Sequence, residues 1–322
     1  MNITLLGTGG TIASTDTDSG ATPNKSGADL VDAVPELEDY ASIAVQEILQ
    51  VPSFELDGEA LETIGEEVAR ADRNQDVDAV IITHGTDTIE ETAYYLDVAL
   101  HPSTPVFLTG AQRRPDETSP DGPANLLTTV RAARAFHNRT ASGVFLAFNE
   151  EIHAARRVTK THTSKLETFS SPSAGPVATL DHAGVRLHRS PTSESDHVPA
   201  TELDAVVPMV KSGIGVAGDR IRTAPERDVD GLVVEGTGLG NVTADIGAAI
   251  EQVAADLPIV VTSRCLAGRT ASVYGSVGGG DRLNDYGVVF AADLPAHKAR
   301  IKLQLALSAF DRVEKVNAVF AD

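Results

Sequence analysis

Two threonine-bearing loops and one lysine carry the residue types best able to do chemistry. The first loop is Gly7-Thr8-Gly9-Gly10-Thr11-Ile12-Ala13-Ser14, reached directly from an apolar run, Ile3 to Leu6, that reads as a strand. Its glycines let the backbone take φ > 0 and let a ligand come close to main-chain N–H groups, with the Thr11 hydroxyl at the tip. A tight turn in which Thr11 bonds only its own backbone accounts for this octapeptide equally well. The second loop, Thr83-His84-Gly85-Thr86-Asp87-Thr88, again ends an apolar strand, Ala79 to Ile82. Thr88-Ile89-Glu90-Glu91 has the spacing of a capping box, which predicts a helix to about Leu100 with Thr86 and Asp87 at its mouth. A hydroxyl is a weak nucleophile without a base. A lysine serves as that base only where neighbours and partial desolvation lower its pKa from about 10.4; Lys160, taken alone, reads as a solvated charge.

These loops need a scaffold that brings strand ends together. Between them come a polar, turn-rich stretch over residues 14–27, a short helical pattern near Asp29 to Val34 and a strand near Ile43 to Leu49. A helix follows from about Asp57 to Ala71, with Leu61, Ile64 and Val68 at helical spacing, and Ser53 lies between strand and helix. A strand at Val106 to Leu108, a helix from Pro123 to His137 and a strand at Gly143 to Phe148 continue the alternation. Repeated strand–helix units predict an α/β fold with a mostly parallel, flavodoxin-like or Rossmann-like sheet covered on both faces. Ligands bind such sheets at the carboxyl ends of the strands, where both threonine loops lie. Residues 151–171 break the alternation and read as a hairpin and loop returning Lys160 toward that edge.

The polar, proline-punctuated run 190–203 reads as a linker, giving an N-terminal domain over 1–189 and a smaller C-terminal α/β domain over 204–322. In the latter, strands near Ala205 to Val210, Gly231 to Val234 and Pro258 to Val261 alternate with helices near Val242 to Ala255 and Pro295 to Phe310.

Composition narrows the classes further. Forty-six acidic against 26 basic residues give a net charge of −20, which repels nucleic acid. Only seven of the basic residues are lysines, and an acidic, lysine-poor, aromatic-poor chain is similar to proteins adapted to multimolar salt, where screening removes self-repulsion. The N-terminus has no basic region before its short apolar run and no stretch approaches a membrane span, so a cytoplasmic, membrane-free protein is expected. A single cysteine, Cys265, excludes an internal disulfide and reads as a small core hydrophobe. The nine histidines show no metal-ligand spacing, so neither metal nor cofactor is expected; His84 reads as a structural hydrogen-bonder.

With Thr8-Gly9-Gly10-Thr11-Ile12-Ala13 and Thr83-His84-Gly85-Thr86-Asp87-Thr88 stand Leu30-Val31-Asp32-Ala33-Val34-Pro35, Thr109-Gly110-Ala111-Gln112-Arg113, Asp121-Gly122-Pro123-Ala124-Asn125-Leu126, Val158-Thr159-Lys160-Thr161, Gly240-Asn241 and Lys298-Ala299-Arg300. In this order across nearly the whole chain, they resemble the bacterial-type L-asparaginases, which also include glutaminase-asparaginases. The resemblance implies hydrolysis of L-asparagine to L-aspartate and ammonia without a cofactor, with a glutaminase-asparaginase acting on both amides as the alternative. It implies Thr11 as the acylated nucleophile and Thr86, Lys160 and Asp87 as the proton-handling set. Asp87 would also bind the substrate amino group and Ser53 its carboxylate; Gly10 and Ala111 would offer main-chain contacts. Asn241 would reach a neighbouring subunit's site in an intimate homodimer, itself paired into a tetramer.

Two departures stand against the family pattern. No aromatic residue occurs in 14–27, where the family's loop tyrosine would align near Ala21. Activation of Thr11 would then fall to Tyr40, Tyr274, Tyr286 or a water, or Thr86 would itself be the nucleophile with Lys160 as its direct base. The stretch Gly275 to Asp281 lacks the family glutamate that binds the substrate amine, leaving Asp281 as a weak substitute. Two further readings compete. One is the ammonia-releasing component of a tRNA-dependent amidotransferase, disfavoured because that component has an extra N-terminal domain whereas the first motif here begins at residue 7. The other is a catalytically inactive amino-acid sensor. A dinucleotide loop is disfavoured because the third glycine of G-x-G-x-x-G would fall on Ile12.

Overall fold

The structure is a computed structural model and describes residues 1–17 and 20–320. It divides into two compact units, Met1–His197 and a second beginning at Val198. The turn-rich stretch 14–27 contains a short antiparallel pair, Ser14–Thr15 with Thr22–Pro23, and its residues 18 and 19 lie outside the described residues.

The first unit is built on eight strands, hydrogen-bonded in the order Gly184–Leu187, Ala178–Asp181, Glu151–Ala154, Val144–Phe148, Val106–Thr109, Ala79–Thr83, Asn2–Gly9, Ser42–Val51. The last five run parallel and the first three are added antiparallel at one edge. In chain order the parallel strands stand 2-1-3-4-5, the flavodoxin-like arrangement. The antiparallel extension has no counterpart in the alternation read from sequence, because no helix separates its strands and Ala178–Asp181 and Gly184–Leu187 are partly exposed. All five residues of Ala79–Thr83 are buried, as a strand covered on both faces requires. Helix Gly122–His137 lays Phe136 against Phe107 and Phe145 of the sheet, with ring centroids 5.3 and 5.1 Å away. Each such buried ring contributes roughly 1.5–3 kcal/mol.

The helix expected from Thr88 runs over Ile89–Leu100, but the capping box does not form. The Thr88 hydroxyl donates instead to the Ser53 carbonyl at 2.7 Å, tying the helix start to the neighbouring loop. A capping box does open the short helix Gly27–Asp32, between Ser26 and Asp29. The first half of the stretch expected as a linker is bound to the first unit: Arg157 and Arg189 both pair with Glu194, and the Ser193 hydroxyl donates to Asp97 at 3.0 Å.

The second unit carries a four-stranded parallel sheet in the order Met209–Lys211, Leu232–Gly236, Ile259–Ser263, Val289–Phe290, packed with helices Ala244–Val253 and Ala296–Ala309. Cys265 does not join its core: it follows the end of strand Ile259–Ser263 in an exposed turn, its amide donating to the Ser263 hydroxyl. Among the described residues no helix is long and apolar enough to cross a membrane.

Candidate active site

Strand Asn2–Gly9 lies between Ser42–Val51 and Ala79–Thr83; the chain leaves it toward Ser42–Val51 on one side and leaves Ala79–Thr83 toward Val106–Thr109 on the other, which opens a crevice between the carboxyl ends of the two neighbouring strands. Gly7 and Thr83 are register partners, so the two threonine loops leave neighbouring strands at the same level. The Thr8 hydroxyl donates to the Thr83 carbonyl at 2.8 Å and locks that level. Beyond it Gly10 takes φ 81°, and a Cβ there would lie 2.3 Å from the Gly85 nitrogen. Only glycine permits this contact, which brings the turn Thr11–Ala13 against the second loop. Gly85 is in turn pressed on Ser53, whose Oγ would lie 2.5 Å from a Cβ at that position.

Thr11, Thr86, Asp87 and Ser53 share the wall of one cavity of about 310 Å³. Thr86 and Ser53 are buried except where they meet it, whereas Asp87 is exposed. Lys160 reaches this group from the hairpin formed by Thr159–Lys160 and Phe169–Ser170. Its ammonium lies 2.9 Å from Thr86 Oγ1 and 2.7 Å from Asp87 Oδ1, with the lysine side chain 14% exposed. The lysine therefore joins a hydroxyl and a carboxylate in one hydrogen-bonded set. The Thr11 hydroxyl makes no hydrogen bond to any described residue, while its turn is closed by the Ala13 amide and Ser14 hydroxyl on the Gly10 carbonyl.

His84 supports the second loop from beneath. Nδ1 lies 2.7 Å from the Gly85 carbonyl, which can only accept, so Nδ1 carries the proton and Nε2 accepts from the Thr92 hydroxyl at 2.9 Å. Complete burial lowers its pKa to about 4 and keeps the ring neutral. It is a structural hydrogen-bonder, away from the cavity wall.

Gly10 is on the cavity wall, but Ala111 is fully buried and offers it no surface; Gln112 forms the wall there. That loop is fixed by the Asp121 carboxylate, which accepts from the Gln112 and Arg113 amides, and by Asn125, which donates to the Gly110 carbonyl at 2.9 Å. Asn241 lies in the second unit, where its side chain accepts from the Gly280 amide at 3.1 Å. Ala21 lines the cavity where the loop tyrosine would align. Tyr40 does not replace it, because it lies beside Met1 and Asn2 at the opposite end of the central strand. Tyr274, Tyr286 and Asp281 belong to the second unit.

Sequence reasoning misses Glu90. Its carboxylate is buried in the first turn of helix Ile89–Leu100 and accepts from the Lys160 amide at 3.0 Å and the Thr159 hydroxyl at 3.3 Å, fixing the base of the lysine. The available signal is a carboxylate one helical turn after Thr86, obscured because the capping-box pattern points to Glu91. Arg114 and Glu117, also on the cavity wall, are missed as well, since nothing in the sequence places residues 113–117 beside Ala21. Among the described residues no cluster of His, Cys, Asp or Glu could hold a metal ion.

Comparison with known proteins agrees with this geometry. The chain matches the family described as Asparaginase, N-terminal, over residues 2–193, and the Glutaminase/Asparaginase C-terminal domain over residues 206–320. It is 33% identical to an L-asparaginase of Bacillus licheniformis, with 96% of each chain covered. It is equally 33% identical to a glutamyl-tRNA(Gln) amidotransferase component of Methanosphaera stadtmanae, over 98% of this chain but 74% of that one. A solved structure of a probable cytoplasmic L-asparaginase from Campylobacter jejuni superposes with TM-score 0.85 at 32% identity, covering 99% of this chain and 98% of that one. With two threonine loops at one switch point and both domain families matched end to end, the chain belongs to the asparaginase family.

Proposed function

We propose that the chain hydrolyses L-asparagine to L-aspartate and ammonia through a covalent threonine intermediate. The observation that carries this reading is the Lys160 ammonium held on Thr86 Oγ1 and Asp87 Oδ1, two residues that line the same cavity as Thr11. In this reading the Thr11 hydroxyl attacks the side-chain carboxamide carbon, and as the C–O bond forms its proton passes through a water in the cavity to the Thr86–Lys160–Asp87 set. The Thr86–Lys160–Asp87 set passes a proton to the departing nitrogen, the C–N bond breaks and ammonia leaves. Water then attacks the aspartyl ester and regenerates the Thr11 hydroxyl. Asp87, exposed at the cavity, takes the substrate ammonium, Ser53 binds its carboxylate, and Gly10 offers a main-chain contact.

We place the protein in the cytoplasm of a high-salt organism as a homo-oligomer, dimer or tetramer, with Asn241 contributing at a subunit interface. Its single cysteine, net charge of −20 and seven lysines support the cellular setting. The match to an amidotransferase component gives a second reading, release of ammonia from glutamine for a partner. Ammonia release from L-asparagine and L-glutamine by the purified chain in multimolar salt tests both. Turnover of asparagine without any partner supports hydrolysis; turnover of glutamine only when partner and tRNA are added supports the amidotransferase. Binding of either amino acid without turnover under any of these conditions supports the inactive sensor.

A further inference from the structure

Three charged side chains line the cavity: Asp87, Arg114 and Glu117. Asp87 is engaged by Lys160, and Glu117 accepts from the Arg114 amide at 2.6 Å. Arg114 is thus the one cation on the described wall. Its Nε donates to Asp116 Oδ1 at 3.0 Å, and the other oxygen of the same carboxylate accepts from the Asp16 amide at 2.7 Å. Asp116 therefore bridges the loop after Thr11 and the loop carrying Arg114. The Asp16 N–H, and then Arg114, hold its carboxyl below the usual range. The arginine side chain is 26% exposed, and its two terminal nitrogens make no hydrogen bond to any described residue, although the Glu117 and Asp16 carboxylates, with Asp116, lie close enough to favour its charge. Ala21 on the same wall presents only a methyl group.

A guanidinium anchored through Nε, with both terminal nitrogens unengaged, is preorganised for a bidentate carboxylate partner. L-Asparagine brings one carboxylate and one ammonium, and Asp87 supplies the anionic counterpart. We propose that Arg114 is a specificity-determining residue that pairs with the carboxylate of the substrate beside the Ser53 hydroxyl on the same wall, with Asp116 as the residue that positions it. This deepens the asparagine reading and rests on it.

The test is calorimetric binding to the full-length chain in the Thr11→Ala background, which needs no turnover, so its outcome is separate from that of the ammonia assay. Three amides are compared: L-asparagine, succinamic acid, which lacks the ammonium, and 3-aminopropanamide, which lacks the carboxylate. Adding Arg114→Gln should weaken the two carboxylate-bearing amides roughly ten- to a hundredfold, the worth of a charge-assisted hydrogen bond, and leave 3-aminopropanamide within about twofold. Arg114→Lys, a point charge without the fork, should recover part of the loss. Asp116→Asn should show the same substrate pattern at smaller size. Equal weakening of all three amides, or no weakening of any, would overturn the assignment.

Discussion

Acidification should weaken the fold through His84, and the effect should vanish when that side chain is replaced. The ring is completely buried beneath the second threonine loop, with Nδ1–H on the Gly85 carbonyl and Nε2 accepting from Thr92. Burial lowers its pKa from 6.5 to about 4. The unfolded chain therefore takes up a proton between those two values that the folded chain refuses, and stability must fall as pH falls through this window. The contribution is fully present above about pH 7 and fully lost near pH 4, and the gap between the two pKa values corresponds to about 3 kcal/mol. Urea unfolding of the wild type and of His84→Gln at intervals from about pH 7.5 to 4 isolates it, because glutamine carries no titrating group and other titrations cancel in the difference. The difference curve should be flat above about pH 7 and drop by about 3 kcal/mol below it. A flat difference across the whole range, or one rising toward acid, would refute the neutral buried ring.

Other substitutions address the parts of the site separately. Lys160→Met removes the contacts to Thr86 and Asp87 and should lower kcat by roughly 10²–10⁴-fold, with urea unfolding showing little change. Glu90→Ala strips an acceptor from the Lys160 amide and the Thr159 hydroxyl; it should cost about 1–3 kcal/mol and lower kcat, while Glu90→Gln, which keeps an oxygen in place, should recover most of both in the same two assays. Gly10→Ala puts a Cβ 2.3 Å from the Gly85 nitrogen at a φ of 81° and should cost at least about 1–3 kcal/mol by thermal or urea unfolding, with asparagine turnover lost in step.

The scaffold was legible because its signals are local. The strands leading to Thr11 and Thr86 are short apolar runs that stop at glycine-rich loops, and the helices between them carry their apolar residues at helical spacing. The order of motifs along the chain marks Thr11, Thr86, Asp87 and Lys160 as candidates, and the flavodoxin-like strand order explains why the first three meet at one crevice. Contacts that depend on distant packing were not legible. Thr88 has the spacing of a cap, yet its hydroxyl is drawn to the Ser53 carbonyl 35 residues away. Glu90 has the look of a surface residue in a first helical turn, but the hairpin that delivers Lys160 covers it. Cys265 has core-like chemistry but stands just past a strand end, where the chain turns into solvent. Arg114 gains its place only from the folding of residues 113–117 against the loop after Thr11.

The central claim is that the two threonines do different jobs, Thr11 bonded to the acyl group and Thr86 handling protons with Lys160. Rapid quench of the wild-type chain with L-asparagine, followed by peptide mass spectrometry, tests it most directly, with Thr11→Ala and Thr86→Ala alongside. An aspartyl adduct on the peptide containing Thr11, absent from Thr11→Ala and accumulating in Thr86→Ala, is the predicted result. An adduct on Thr86 that survives Thr11→Ala would contradict it and make Lys160 the direct base of the nucleophile.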